Sequence, residues 1–241
     1  MNYQAKIDTT GAGVQAKGSI QAQLADFAAH LDHSEIPAKV RTRAVHHMLD
    51  SAGIAIASTR YDFAHKTLAG VRALSSEGAV PVFGMAARLP ARDAAIMNGY
   101  LCHGLDYDDT HIAGIVHPTS SALPATLAAA QLSGASGREM VTAFIIGVET
   151  AARLGMTAKS QFHQVGHHPT GMIGVFGAAL AAGRLMGLNA AAMIDAQGIA
   201  LSMASGSLQF LEDGAWNKRL HPGWAAQAGI MAASLAREGF K

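Results

Sequence analysis

Residues 171–183 read GMIGVFGAALAAG, and this stretch decides the fold class. The run carries no charge, and small residues recur along it, so that another helix could approach its backbone closely. We interpret Gly171, Gly174 and Gly177 as helix-packing positions, because the run does not fit a phosphate-binding loop. It is also too short and too rich in glycine and alanine to span a bilayer, which takes about 20 apolar residues. The stretch therefore predicts a helix inside a helical protein.

The sequence on both sides of this run supports the same class of fold. Alanine and glycine are abundant, aromatic residues make up 6% of the 241 residues, and β-branched runs are short, which favours packed helices. Apolar spacing, prolines and turn residues predict helices at 19–31, 37–57, 63–75, 90–98, 121–132, 138–154, 171–186, 190–203 and 224–237. Three segments are predicted otherwise: a short strand at 79–83 and polar loops at 163–170 and 205–223. The prediction is an all-α domain over residues 19–241, after a flexible leader at 1–18.

Composition limits the classes of function. The chain has 18 basic and 17 acidic residues, so it lacks the positive charge of a protein that binds nucleic acid or an anionic membrane. The N-terminus has no apolar core of a signal peptide, and we expect a soluble cytoplasmic protein. Cys102 is the only cysteine, so no intrachain disulfide can form. Its most economical interpretation is a small buried hydrophobe, and a nucleophilic thiol beside His103 is the alternative.

Titratable residues are concentrated in residues 98–124, NGYLCHGLDYDDTHIAGIVHPTSSALP. If this piece is helical, His103, Asp106 and Thr110 lie on one face, and a carboxylate beside a hydroxyl could bind a substrate or accept a proton. The alternative is that Asp106 and Thr110 cap a helix end. His117 precedes a proline where a loop meets the next helix, and it could act as acid or base or be structural. After it, Thr119 and Ser120 are candidate N-caps.

Two later segments carry further polar residues. His163, His167 and His168 lie in QFHQVGHHPTG, which also ends in His-Pro before a helix, so the two histidine-rich loops could meet at one cavity. The third segment supplies positive charge. It contains Lys218, Arg219 and His221, and cations of this kind bind carboxylates. An ordinary solvated basic loop is the alternative.

A metal site is the main rival to a purely acid–base site. Histidine and aspartate are ligands for zinc and iron, but the sequence lacks His-Glu-x-x-His, helical Glu-x-x-His pairs and the cysteines of a structural zinc site. A phosphate-binding Gly-x-x-x-x-Gly-Lys-Ser/Thr loop is also absent. We therefore predict no bound metal.

These motifs resemble a known family. Asn98-Gly99, His103, LDYDDT and VHP, then GHHPTG at 166–171 and NKRLHPGWAAQAG at 217–229, are similar in type and order to the MmgE/PrpD family, over about residues 20–240. That family includes 2-methylcitrate dehydratase, cis-aconitate decarboxylase and iminodisuccinate epimerase. The resemblance implies an all-α domain paired with a smaller α+β lid, assembly as a homodimer, and no metal or organic cofactor. Since the sequence stops just after the last motif, we expect residues 19–241 to be the helical domain without the lid.

The resemblance also implies roles for individual residues. By motif position, the catalytic candidates are Asp106, Thr110, His117, His168 and Lys218. The second group, expected to bind substrate, comprises His103, Asp109, Arg219 and His221. The expected substrate is a small di- or tricarboxylic acid that reacts through a carbanion next to a carboxylate.

The hypothesis for the reaction assigns each catalytic candidate a task. Lys218 and His168 would neutralise substrate carboxylates, His117 would move a proton at carbon, and Thr110 would hydrogen-bond the substrate. Asp106 would orient His117 or assist a leaving hydroxyl. We predict a dehydratase acting on a 2-methylcitrate-like acid, with decarboxylation or epimerisation of a related acid as alternatives. A metal-dependent hydrolase and a non-catalytic helical partner that lacks its lid are the rival classes of function.

Overall fold

The computed structural model describes residues 18–158 and 161–241. The leader predicted at 1–18 lies outside the described residues except for Gly18. The described residues form eleven α-helices: α1 Ile20–His30, α2 Ala38–Ser58, α3 Asp62–Arg72, α4 Ala91–Cys102, α5 Thr119–Ser133, α6 Gly137–Ala158, α7 Gln161–Gln164, α8 Pro169–Leu185, α9 Ala190–Met203, α10 Phe210–Asp213 and α11 Leu220–Arg237. Short 3-10 turns occur at His33–Glu35 and Trp216–Arg219. The prediction of an all-α fold is confirmed.

The candidate strand near residue 80 is present but minimal. Strand β1, Val80–Pro81, pairs antiparallel with β2, Arg88–Leu89, and the two form a small hairpin beside α4. Asn98 ties this hairpin to α4, because its side chain accepts from the Phe83 N–H and donates to the Pro81 carbonyl. The hairpin thus extends the helical domain at its edge.

Helix α8, which contains the apolar run 171–183, is the centre of the domain. It packs against α11, α6, α5 and α9, and most of its residues are buried. A Cβ at Gly177 would lie 2.4 Å from the backbone oxygen of Gly147 on α6, a distance that no real side chain occupies. Glycine at this position lets α8 and α6 pack backbone to backbone, at the close density expected of a core built from small residues.

A second close crossing joins α4 to α11. A Cβ on Gly99 would lie 2.5 Å from the Cα of Gly223, and one on Gly223 would lie 2.2 Å from the carbonyl oxygen of Ile96. The crossing places the end of α4 beside the beginning of α11. It therefore brings the first polar segment of the sequence next to the last one.

Three local predictions are wrong. The predicted loop at 163–170 contains the end of α7 and the start of α8, and the predicted loop at 205–223 contains α10, a 3-10 turn and the start of α11. Thr119 and Ser120 are not N-caps, because α5 already begins at Thr119 and the cap position is Pro118. The hydroxyl of Ser120 instead donates to the backbone carbonyl of His117.

Among the residues that the structure describes, one helix has the length and hydropathy to cross a membrane. This is α6, and half of the apolar window is buried inside the fold. A helix in the core of a protein passes the same test, so the expected absence of a membrane partner stays a prediction.

Candidate active site

Four histidines from separate parts of the sequence meet at one end of the helical domain. His103 directly follows α4, His117 lies two residues before α5, His168 is the N-cap of α8, and His221 lies in the first turn of α11. The ring centroid of His103 is 4.8 Å from that of His117 and 5.8 Å from that of His168. The His168 and His221 centroids are 5.2 Å apart. The structure thus brings His117 and His168, from the two histidine-rich segments, to one place, as the sequence led us to expect.

The first segment is not helical beyond Cys102, so the condition under which His103, Asp106 and Thr110 would share a helical face is not met. Helix α4 ends at Cys102, and residues 103–118 form a loop with a bridge between His111 and Val116 in its second half. Gly104 lets the start of this loop pack closely against α2, since a Cβ on it would lie 2.3 Å from the Ser58 hydroxyl oxygen. His103, Asp106 and Thr110 therefore reach the site from a loop.

Asp108 holds His103 in place. Nδ1 of His103 lies 2.8 Å and 3.1 Å from the two carboxylate oxygens of Asp108, and both side chains are buried. Burial alone would raise the pKa of Asp108, but the hydrogen bond that His103 donates holds that pKa below its usual value. The carboxylate must accept, so Nδ1 of His103 carries the proton. Asp108 was absent from the predicted site residues, and its position within LDYDDT was the only signal for it.

The other ring nitrogen of His103 faces Asp106. Nε2 is buried without a hydrogen-bond partner among the described residues, and it lies 3.8 Å from a carboxylate oxygen of Asp106. Both nitrogens of His103 thus face carboxylates, one in contact and one slightly beyond hydrogen-bond distance.

Asp106 forms an ion pair with Lys218. The ammonium nitrogen lies 2.5 Å and 2.7 Å from the two carboxylate oxygens, and Asp106 adopts a left-handed backbone conformation with φ of 60°. The Lys218 nitrogen also lies 5.9 Å from the centre of the Phe210 ring.

The hypothesis that Asp106 orients His117 is not what the geometry shows. The carboxylate nearest to His117 is that of Asp108, 3.7 Å from its Nδ1.

His117 is oriented by hydroxyl groups. Its Nδ1 lies 3.3 Å from the Thr110 hydroxyl, which itself donates to the backbone carbonyl of Asp108. Because that hydroxyl proton is already used, Nδ1 of His117 donates to Thr110 and Nε2 is left as the basic nitrogen. The backbone N–H of His117 donates to the hydroxyl of Thr170 on α8. Burial lowers the pKa of His117, against the opposing effect of the Asp108 carboxylate.

His168 and His221 form a neutral pair. Their Nδ1 atoms are 3.0 Å apart, so one ring donates to the other. Burial lowers the pKa of His168 to about 2 and that of His221 to about 4, with nearby His103 adding to both shifts. At neutral pH, His168 therefore offers hydrogen bonds and not the positive charge that the sequence-based hypothesis gave it. The donor ring leaves a bare Nε2 and the acceptor ring an Nε2–H, so the pair presents one acceptor and one donor.

Asp109 lies beside the site at the start of α5. Its carboxylate accepts from the backbone N–H of Thr119 at 3.3 Å. Burial raises the pKa of Asp109 to about 7, and the neighbouring charge of Asp108 adds to the increase. Its contact is with the end of a helix, and its predicted role in substrate binding stays a prediction.

Arg219 points to one side of the histidine group. Its Nε donates to the backbone carbonyl of Gly104 at 2.7 Å, and its guanidinium lies 4.7 Å from the centre of the Phe63 ring. It lines an open cavity of about 530 Å³ together with Phe63 and Trp216. A direct substrate contact by Arg219 stays a prediction.

Two further residues near the site have clear environments. Phe210 was not predicted from the sequence, and its ring lies 5.9 Å from those of His168 and His221. Cys102 is fully buried, and burial raises the pKa of its thiol to about 12, so it is a packing residue and not a nucleophile.

The residues present also include a possible set of metal donors. Donor atoms of His103, Asp108 and His117 all lie within 4.8 Å of one another. The direct hydrogen bond from His103 to Asp108 explains this grouping without an ion, and we treat these side chains as hydrogen-bonding groups. The expectation of a site without metal stays a prediction.

Comparison with known proteins gives one family match. The model of the MmgE/PrpD N-terminal domain matches residues 22–241. The cis-aconitate decarboxylase-like protein oryM of Aspergillus oryzae is 31% identical over 232 residues, which is 93% of this chain and 48% of the relative. Cis-aconitate decarboxylase of Aspergillus terreus is 30% identical over 94% of this chain and 47% of its own length, and that of Mus musculus is 32% identical over 80% and 40%. The chain thus spans about half the length of these curated relatives.

Proposed function

Since this chain belongs to the MmgE/PrpD family, we propose that it carries the acid–base site of a lyase acting on a small di- or tricarboxylic acid. The observation that carries this proposal is the meeting of four histidines with the Asp106–Lys218 ion pair. Three helices, α5, α8 and α11, also begin at this place, and the positive ends of helices favour bound anions. Binding a carboxylate and moving one proton is what such a site can do.

Decarboxylation of a cis-aconitate-like acid is the reaction that the relatives favour, since those reported above are named as cis-aconitate decarboxylases or as similar to one. In this reaction the bond to one carboxyl breaks, carbon dioxide leaves, and the electron pair stays on the remaining carbon framework. A carboxylate conjugated to the new carbanion spreads its charge. One proton must then reach carbon.

The described residues can divide these tasks. Lys218 would bind a substrate carboxylate by charge, and the His168–His221 pair would donate one hydrogen bond and accept another. His117 would deliver the proton, since a histidine with a lowered pKa is a strong acid once it is protonated. Thr110 would hold the His117 ring through Nδ1, leaving Nε2 for the transfer.

Dehydration of a 2-methylcitrate-like acid is the second candidate. The neutral form of His117 is favoured by its lowered pKa and has a basic Nε2, which suits the removal of a proton from carbon. The hydroxyl would then leave with a proton from a second group. Epimerisation needs the same removal followed by return of a proton, so the three reactions differ in their products more than in the groups they require.

Nuclear magnetic resonance in deuterated buffer would test the proposal. Purified protein is mixed separately with cis-aconitate, 2-methylcitrate and citrate, without added metal. Loss of carbon dioxide with one carbon-bound deuterium in the product supports decarboxylation, and alkene formation from 2-methylcitrate supports dehydration. Both should disappear in Lys218→Ala and persist in Lys39→Ala, a change of an exposed lysine on α2. A folded protein that reacts with none of these acids would contradict the proposal and favour the non-catalytic alternative.

We also propose an oligomeric state and a cellular location for the protein, by analogy with its family. We expect the protein to be a homodimer in the cytoplasm that functions without an organic cofactor. Sedimentation analysis of the purified protein measures its oligomeric state directly.

A further inference from the structure

The buried Nε2 atom of His103 has no hydrogen-bond partner among the described residues, although a carboxylate lies close to it. Nε2 has no hydrogen bond among the described residues, although the ring is fully buried. A buried polar atom without a partner is unfavourable and uncommon in folded proteins. The nearest carboxylate oxygen, that of Asp106, is 3.8 Å away and is bonded instead to Lys218.

Asp106 is placed to exchange one partner for the other. Its side chain is 46% exposed, whereas that of Lys218 is 23% exposed and that of His103 is fully buried. A small rotation of the Asp106 carboxylate would close the gap to His103 and release the ammonium group. A ligand carboxylate that binds Lys218 would favour this exchange, because it competes directly with Asp106.

Charged and titratable groups surround His103. They are Asp106, Asp108 and His117 from the loop, His168 from α8, and His221 from α11. Lys218, from the turn before α11, joins this group through its ion pair with Asp106. Of the four histidines, His103 is the one with a hydrogen bond to a carboxylate. Burial lowers the pKa values of the other three. His103 is therefore the ring whose two nitrogens both lie near carboxylates, at 2.8 Å from Asp108 and 3.8 Å from Asp106.

We propose that His103 is a positioning residue that takes up a proton from solvent when a carboxylate ligand binds, because the ligand takes Lys218 from Asp106 and Asp106 turns to His103. In the bound state, Nδ1–H of His103 donates to Asp108 and Nε2–H donates to Asp106. The added proton offsets the negative charge that the ligand brings into the site. This inference rests on the proposed function, since it requires a carboxylate ligand.

Isothermal titration calorimetry can count this proton. Tricarballylate is a suitable probe, because it is a saturated tricarboxylate without the double bond that would stabilise a carbanion. Titration in several buffers at one neutral pH, with different enthalpies of ionisation, gives the number of protons taken up per bound ligand. We expect about one proton for the unchanged protein.

Variants assign that proton to a residue. His103→Gln should bind tricarballylate and lose the uptake, whereas His46→Gln, a change of an exposed histidine on α2, should keep it. Asp106→Asn should also lose most of the uptake, because the imidazolium loses its second carboxylate. It should bind the probe as tightly as the unchanged protein or more tightly, because Lys218 is free. If His103→Gln does not fold, as judged by thermal unfolding, Asp106→Asn carries the test.

The outcomes separate the two proposals. Binding without proton uptake, or uptake that persists in His103→Gln or, should that variant not fold, in Asp106→Asn, would overturn the role of His103 and leave the proposed function standing. Failure of the unchanged protein to bind tricarballylate would instead contradict the proposed function, and the inference with it.

Discussion

Three carboxyl groups lie within four positions of one loop, and each has a different environment. Asp106 is half exposed and pairs with Lys218, Asp108 is buried against His103, and Asp109 accepts a backbone hydrogen bond at the start of α5. The pKa of Asp108 is lowered and that of Asp109 is raised to about 7. Position in the loop, and not residue type, thus decides which carboxyl stays charged at neutral pH.

The raised pKa of Asp109 predicts a pH-dependent cost to stability. In the unfolded chain this carboxyl ionises near 3.8, whereas in the folded protein it holds its proton to about pH 7. The folded state binds the extra proton between these values, so stability falls as pH rises through this window and is constant above it. We expect Asp109→Asn to gain about 2–3 kcal/mol relative to the unchanged protein on going from pH 5 to pH 8. Urea unfolding at the two pH values measures this gain.

Asparagine is the suitable replacement for this test, because its side-chain oxygen can still accept from the Thr119 N–H. Glu77→Gln, which removes an exposed carboxylate, serves as the control and should show no such difference. A pH dependence of unfolding that is the same in Asp109→Asn and in the unchanged protein would show that Asp109 is ionised in the folded state at neutral pH.

His117→Ala should separate chemistry from folding. The ring is held by one hydroxyl contact and is not part of the His103–Asp108 hydrogen bond, so its removal should leave the fold intact. Turnover should fall by about 10²–10⁴-fold, the usual contribution of one acid–base group. Steady-state kinetics with the substrate identified by magnetic resonance measures this loss, and the exposed His65→Ala is the control. Activity within a few-fold of the unchanged protein would show that another group moves the proton.

Residue types at the site could be predicted from the sequence, but their pairing could not. Histidine-rich segments and a basic segment indicate acid–base chemistry with a carboxylate, and the structure brings His103, His117, His168, Lys218 and His221 together. The partner of Asp106 lies 112 positions away in the sequence, so only the tertiary fold reveals it. The link between His103 and Asp108 was missed because it depends on where α4 ends.

At the scale of helices, the crossing of α4 and α11 fixes the site. Gly99 and Gly223 meet there, four residues before His103 and two after His221. Because His103 and His221 lie about one helical turn or less from this contact, a shift of one helix against the other would be transmitted to both side chains.

Gly223→Ala should therefore damage both stability and ligand binding. The added Cβ would lie 2.2 Å from the Ile96 carbonyl oxygen, which is backbone and cannot move without moving α4. We expect a loss of about 2–3 kcal/mol in the free energy of unfolding. Urea unfolding and calorimetry with tricarballylate measure the two effects.

A matched glycine is available as the control. Gly198 on α9 is exposed, and a Cβ there would meet nothing within 4 Å. Gly198→Ala should stabilise the protein by about 0.5–1 kcal/mol, because alanine favours a helix interior. If both alanine variants had the same stability, the close crossing of α4 and α11 would not be as the structure describes it.

The helices themselves were predictable to different degrees. Residues 190–203 were predicted with the observed bounds, because Asn189 is a good N-cap and the side chains after it are apolar. Helices α8 and α11 begin earlier than predicted, since the sequence pattern places Pro169 and Pro222 at the ends of loops. Proline is accepted in the first turn of a helix, where its missing N–H has no intrahelical partner. Both errors fall at His-Pro pairs beside the site, where polar residues continue into the helix start.

At the scale of the whole domain, the site is made by segments that are far apart in sequence. The side chains that would contact a ligand come from the loop after α4, the start of α8 and the turn before α11. These segments are held together by α8 and its close packing against α6 and α11. A ligand that bridges them should therefore stabilise the complete fold and not one local segment, because all of them must be in place for it to bind.

This coupling predicts a rise in the unfolding temperature on ligand binding. Tricarballylate at about 100 times its dissociation constant should add about 2.7 kcal/mol to the free energy of unfolding. For a domain of this size that corresponds to a rise of about 5–10 °C in the midpoint. Lys218→Ala should lose most of this rise, because the ammonium is the main charge available to the ligand, whereas Lys39→Ala should keep it. If tricarballylate leaves the unfolding midpoint unchanged, the segments do not bind this ligand together. The substrate would then belong to another chemical class.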